Sequence, residues 1–198
     1  MKKLITYSAI SIFTILTGCS APPLKFYTLN ETGPRQSERV SNYTNSAPVI
    51  YVSQVTVPDY LNTTDIITRT QSTLNHSPNG RMSSILSIGA TEFITHVLAD
   101  KNPNLFITNQ TQIEPPTYQL MINISRFDVQ EDASKTGHIT LEANWSIVPK
   151  NENQSIQKQR ATFTAQSKLY NDSDIIELEQ NALTQLSTAI NNSLATLR

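Results

Sequence analysis

One thiol, three imidazoles and a scatter of carboxylates are the groups in this chain that can do chemistry. The thiol belongs to Cys19, the only cysteine among 198 residues. It closes the run Leu16-Thr17-Gly18-Cys19, in which an aliphatic residue and two small ones precede a nucleophilic sulfur. With a single cysteine, no disulfide can form within the chain. The imidazoles of His76, His96 and His138 lie far apart, and none belongs to an H-E-x-x-H pair, so the ligand spacing of a zinc site is missing. No G-x-S-x-G elbow occurs, and the five glycines write neither a G-x-G-x-x-G nor a P-loop. Asp59, Asp65, Glu92, Asp128 and Glu142 can meet as acid and base only through folding, because a triad is defined by geometry and not by spacing. The residues therefore point to no enzyme, no cofactor and no metal.

What the sulfur does depends on what precedes it. Lys2-Lys3 opens the chain and an apolar run follows from Leu4 to Leu16. A basic start, a short apolar core and small residues, in that order, form an export signal. The run carries Thr6, Ser8, Ser11 and Thr14 and is shorter than the roughly 20 apolar residues a transmembrane span needs. Leu16-Thr17-Gly18-Cys19 resembles the lipobox of bacterial lipoproteins. That resemblance implies cleavage before Cys19 and diacylglycerol on its sulfur, with ordinary cleavage near Ser20-Ala21 as the other reading. Two or more acyl chains hold a protein stably on a membrane where one does not. The expected organisation is a signal peptide over 1–18, a lipidated tether over 19–24 containing Pro22-Pro23, and one periplasmic domain over 25–198.

The elements that must position everything else are read from periodicity. Phe26 to Leu29 forms a short strand, and residues 30–47 form a polar loop. Val49 to Val57 alternates with apolar residues on both sides, which predicts an interior strand covered on two faces. Pro58-Asp59 stops it, Tyr60-Leu61 turns, and Asp65 to Arg69 is another short strand. Residues 71–83 contain Asn75, Pro78 and Asn79-Gly80, which predicts a hairpin tip. Ser84 to Lys101 has helical spacing through Ile85, Ile88, Phe93, Val97 and Leu98, with Ser83 or Ser84 as N-cap. Leu105 to Ile107 is a brief strand.

Tyr118 to Gln130 is a long strand whose apolar phase switches near Ser125, the signature of a bulge. His138 to Val148 alternates, with Ile139, Leu141, Ala143, Trp145 and Ile147 inward. A third long strand turns Ala161, Phe163, Ala165 and Leu169 to one side. Ser173 to Leu197 is a long helix with Asp174 and Glu177 as its capping pair. The pattern of strands, helix, strands, helix defines an α+β fold: a mixed, largely antiparallel sheet covered by two main helices. A net charge of −1 and 16% charged residues leave no basic field for nucleic acid.

Several of these segments together resemble the PqiC/YmbA family, also called ABC-type transport auxiliary lipoproteins. They are the lipobox, Phe26-Tyr27-Thr28-Leu29, Val55-Thr56-Val57-Pro58-Asp59-Tyr60-Leu61 and Ile66-Ile67-Thr68-Arg69. Further matches are Tyr118-Gln119-Leu120 running to Phe127, Leu141-Glu142-Ala143-Asn144-Trp145, and Ala182 to Ser187 in the last helix. Where the family has an Arg-Trp-Ala-Glu-Pro-Leu-like segment, this chain reads Arg81-Met82-Ser83-Ser84-Ile85-Leu86. The resemblance implies a non-enzymatic lipoprotein with a TolB-N-terminal-like fold that forms ring-shaped homo-oligomers at the outer membrane. Its implied partners are an MCE-domain tube protein and that protein's inner-membrane partner, for lipid transport between membranes. Ser20 after Cys19 implies sorting to the outer membrane. A stand-alone lipid- or ligand-binding lipoprotein is the alternative. Tyr60 and Arg81 are the candidate partner contacts.

Overall fold

The structure, a computed structural model, describes residues 22–30 and 47–197. Leu16, Thr17, Gly18, Cys19 and Ser20, the signal peptide and most of the loop over 30–47 lie outside the described residues. Eight strands form one mixed sheet, and two α-helices lie on one of its faces. The strands are β1 Lys25–Tyr27, β2 Val49–Val52, β3 Asp65–Thr70, β4 Thr73–Met82, β5 Phe106–Thr108, β6 Tyr118–Glu131, β7 Thr136–Pro149 and β8 Gln157–Lys168. The helices are α1 Leu86–Lys101 and α2 Asp172–Ala195, and a 3-10 turn covers Asp59–Leu61.

β6 is the shared strand. One edge pairs with β7 along almost its whole length, and β7 pairs in turn with β8. The other edge takes β2 at Tyr118–Leu120 and β3 at Gln130, both in parallel. Two wings then extend from opposite ends of β6: β2 to β5, and β3 through β4 to β1. The register shift between Ile124 and Arg126 is the bulge expected near Ser125. It keeps Leu120, Ile122 and Ile124 before it and Phe127 and Val129 after it on the helix-covered side. In β7, Ile139, Leu141, Ala143, Trp145 and Ile147 are all buried as their alternation requires. The indole of Trp145 donates to Ser193 Oγ on α2 at 3.1 Å, which satisfies its one polar atom in the core. The β6–β7 turn is tied by Asp132, which accepts from the Ser134 and Thr136 N–H groups at 2.8 and 2.9 Å. Those bonds hold its carboxyl down at about 2.

Several readings are corrected. The 71–83 segment holds a hairpin tip at its start and not at Asn79-Gly80, and the rest is a ten-residue strand, β4. The tip is at Gln71, which takes the left-handed conformation with φ 54. Ser77 to Gly80 bulge out of the ladder between the pairs Ile67↔His76 and Asp65↔Arg81, so Pro78 breaks no required hydrogen bond. β2 ends at Val52, and its outward side is not covered by a second layer. Beyond it the chain follows β6 irregularly: the Val55 N–H leaves the sheet to bond Thr91 Oγ1 at 2.8 Å, and Thr56 bridges Asn123.

In α1 the buried stripe is Leu86, Ala90, Ile94 and Leu98, while Ile88 is exposed. The small residues Gly89, Ala90 and Thr91 let the helix sit close to the sheet, so size outweighs hydropathy in choosing the face. Neither Ser83 nor Ser84 caps α1; Asn62 Oδ1 accepts from Ser87 N at 3.3 Å. α2 starts earlier than Ser173. Asn171 is its N-cap, and Asp174 reaches back to the Asn171 N–H at 3.0 Å, completing a capping box. Its 24 residues span about 36 Å and cover β7 and β8 with Leu178, Leu183, Leu186, Ile190 and Leu194.

The capping box makes a clean prediction. Asn171→Ala lowers stability by about 1 kcal/mol in urea unfolding, while Glu177→Ala, outside the box, changes it by less than about 0.5 kcal/mol.

Candidate functional site

The bulge in β6 also decides what points away from the helices. Arg126 and Asp128 emerge there on the open face, flanking the inward Phe127. Asp128 is 9% exposed and gathers three donors. Tyr60 Oη donates to its Oδ1 at 3.0 Å, Arg69 Nη2 to the same oxygen at 3.2 Å, and Arg126 Nε to Oδ2 at 3.0 Å. Arg126 also reaches Glu142 on β7 at 3.6 Å. The Arg69 guanidinium lies 5.4 Å from the centre of the Tyr60 ring, within cation–π range. Its Nε is buried without a hydrogen-bond partner.

Pro58 and the 3-10 turn deliver Tyr60 to this cluster, with the Leu61 N–H closing onto Pro58 O at 2.9 Å. Burial, and then the Asp128 hydrogen bond and charge, raise the Tyr60 hydroxyl above its ordinary value despite Arg69, so it stays a neutral donor. With two guanidiniums and a phenol on it, Asp128 has both carboxylate oxygens engaged as acceptors. The cluster is a clamp: it pins the 58–62 turn to the sheet while the Tyr60 ring remains 39% exposed.

Arg81 is held too. Its Nε meets Asp65 at 3.1 Å, and Nη1 donates to Ser77 O and Gly80 O at 2.8 and 2.6 Å. The second partner of the Asp65 carboxylate is His76, whose Nδ1 lies 2.9 Å from its Oδ2. The three histidines stay apart, each beside one carboxylate: His76 with Asp65, His96 with Asp100 at 3.3 Å, and His138 with Asp132 at 3.6 Å. Among the described residues, no group of three or more His, Cys, Asp or Glu could hold a metal. No helix among them is long and apolar enough to cross a membrane.

Sequence reading missed Glu179. It stands on the sheet-facing half of α2, beside a cavity of about 20 Å³ that Leu61, Ile67, Met82, Leu86 and Phe127 line. That volume is close to room for one water. Burial pushes its carboxyl from the ordinary 4.5 up to about 8. Helical spacing held the only available signal: Glu179 falls one position after buried Leu178 and three before buried Ala182.

An open mixed sheet, backed by two helices on one face and carrying polar clamps on the other, defines an α+β domain whose side chains are arranged to hold surfaces in place. The chain belongs to the family of ABC-type transport auxiliary lipoprotein components, whose model matches residues 27–191. Two crystal structures share the fold. An uncharacterized protein is 15% identical with a TM-score of 0.66, covering 87% of this chain and 99% of its own. Protein XCC0632 from Xanthomonas campestris is 14% identical with a TM-score of 0.58, covering 79% of this chain and 94% of its own. No curated protein matches the sequence.

Two outcomes test this description. Asp128→Ala strands two guanidiniums and costs about 3 kcal/mol in chemical denaturation, whereas Tyr60→Phe, losing one hydrogen bond, costs about 1 kcal/mol. For Glu179, a folded value above the unfolded one favours the folded state below about pH 4.5, and that contribution is lost as pH rises to about 8. Glu179→Gln therefore raises the melting temperature above about pH 8 and leaves it nearly unchanged below about pH 4.5.

Proposed function

We propose that this chain is an outer-membrane lipoprotein that docks the periplasm-spanning tube of an MCE-type, Pqi-like lipid transport system and so supports membrane integrity. The observation that carries this reading is family membership across residues 27–191, and the run Leu16-Thr17-Gly18-Cys19 after Lys2-Lys3 and an apolar stretch supports it. Residues 1–18 are removed, Cys19 is acylated, Leu16, Thr17 and Gly18 complete the cleavage motif, and Ser20 directs the protein to the outer membrane. The folded domain, residues 25–198, then starts about six residues from the lipid.

Docking needs a rigid surface and copies that can share it. The Asp128 clamp supplies rigidity by holding the exposed ring of Tyr60, the proposed partner contact, against the sheet. Arg81 positions the neighbouring β3–β4 pair. The twelve residues of β8 have β7 on one edge and no strand on the other among the described residues, which leaves a backbone ladder for a neighbouring copy in a ring. A stand-alone lipid carrier is the less fitting reading: the hollows of about 480 Å³ beside Phe163 and Gln185 and about 330 Å³ beside Tyr51 and Pro115 are open surface grooves with partly polar walls, and the enclosed cavity under α2 holds only about 20 Å³.

Purified from envelopes, the chain is expected to start at acylated Cys19 by mass spectrometry, to exceed monomer mass in light scattering, and to copurify with an MCE-domain protein. Ser20→Asp is expected to move it to inner-membrane fractions on a density gradient. A monomer carrying a bound lipid and no MCE partner would replace the docking reading with the stand-alone one.

A further inference from the structure

The first described strand carries an apolar surface that the core does not use. Leu24 is 51% exposed and Phe26 is 69% exposed, two residues apart, the spacing that repeats one side of an extended chain. Their direction follows from register. β1 pairs in parallel with β4, matching Phe26 to Arg81 and Tyr27 to Met82. Met82 is buried and Tyr27 packs against the core, so Phe26 points the opposite way, off the helix-covered side. Lys25 lies exposed between the two. β1 is also the outermost strand of its wing. A third exposed large side chain belongs to the same end of the molecule: Tyr170 is 80% exposed, and Asp172, two residues on, packs against Gly80, the register partner of Lys25.

We infer that Leu24 and Phe26 enter the interfacial layer of the membrane that holds Cys19 and thereby set the orientation of the domain. The inference rests on the acylated Cys19 of the proposed function. From Cys19 to Leu24 the chain reaches at most about 17 Å, and Pro22-Pro23 stiffens it. These side chains therefore lie within about 17 Å of the anchor, close enough to reach the headgroup layer. Exposed apolar and aromatic side chains suit that layer, where apolar bodies bury in the acyl boundary. A second copy is a poorer occupant. β1 offers three residues of ladder, and two side chains cover far less than the roughly 1,200 Å² of a stable protein interface. Since the acyl chains already hold the protein, the two side chains add direction and not attachment: the domain leans on β1, and the β2–β5 wing, at the other end of β6, is carried away from the bilayer.

The test uses full-length acylated protein in vesicles of phosphatidylethanolamine and phosphatidylglycerol. Acylation occupies the Cys19 thiol, so Leu24→Cys, Phe26→Cys or Ile113→Cys each presents one free thiol for a nitrobenzoxadiazole dye. Ile113, fully exposed on the loop after β5, is the control. The dye at 24 and at 26 is expected to shift to the blue and to be quenched by lipids carrying a shallow nitroxide, while the dye at 113 keeps its water spectrum. Unquenched, water-like dye at 24 and 26 on acylated protein that floats with the vesicles overturns the inference and leaves the lipoprotein reading standing. A blue shift that fades as protein is diluted in lipid overturns it in favour of a second copy. A mature chain without acyl groups on Cys19 overturns both.

Discussion

Everything in this fold depends on one strand keeping its apolar side toward the helices along fourteen residues. An unbroken alternation through β6 would turn either Leu120, Ile122 and Ile124 or Phe127 and Val129 into water. The extra residue at Ser125 resolves this, since a one-residue slip swaps the faces of a strand. With the bulge in place, β7 can pair along one edge from Tyr118 to Glu131, and the other edge is free to take β2 at one end and β3 at the other. The two wings of the sheet exist because β6 is long enough to hold two parallel neighbours in tandem.

The same bulge produces the polar cluster. By restoring the inward side at Phe127 it directs Arg126 and Asp128 outward, under the turn that carries Tyr60. Asp128 loses most of its hydration there and regains it from two guanidiniums and a phenol. A buried carboxylate so satisfied is specific in geometry. Glu179 differs: half-buried beside a cavity that Leu61, Thr63, Asp65 and Phe127 line, it has its carboxyl pushed up to about 8 by burial.

In the proposed docking role, the useful features are those that fix surfaces relative to the membrane. The first strand is an edge with exposed apolar side chains, and the clamp immobilises the Tyr60 turn. α2 backs the β7–β8 half of the sheet and leaves the outer edge of β8 open. Tether, clamp and open edge thus fall on different parts of the molecule, so anchoring, partner contact and self-association need not compete for one surface.

Periodicity alone determined the long elements: β6 with its bulge, β7 with Trp145 inward, β8 and the final helix. Each carries enough apolar residues at one period for burial to outweigh local alternatives. The resemblance across the mature chain was legible in the same stretches and in the Val55–Leu61 segment. Tertiary structure decided what short-range chemistry could not. Pro78 and Asn79-Gly80 look like a hairpin tip, yet ladder pairing with β3 on either side turns them into a bulge within β4. The face of α1 was misread because small residues, which carry little hydropathy, were chosen for close approach to the sheet. The cap of α2 moved from Asp174 to Asn171 because a cap is set by where the preceding backbone leaves the extended conformation. The partners of Asp128 and the confinement of Glu179 were invisible in sequence for a common reason. Tyr60 and Asp128 are separated by 68 residues, and only the sheet that brings them together decides whether a charge is solvated, paired or stranded.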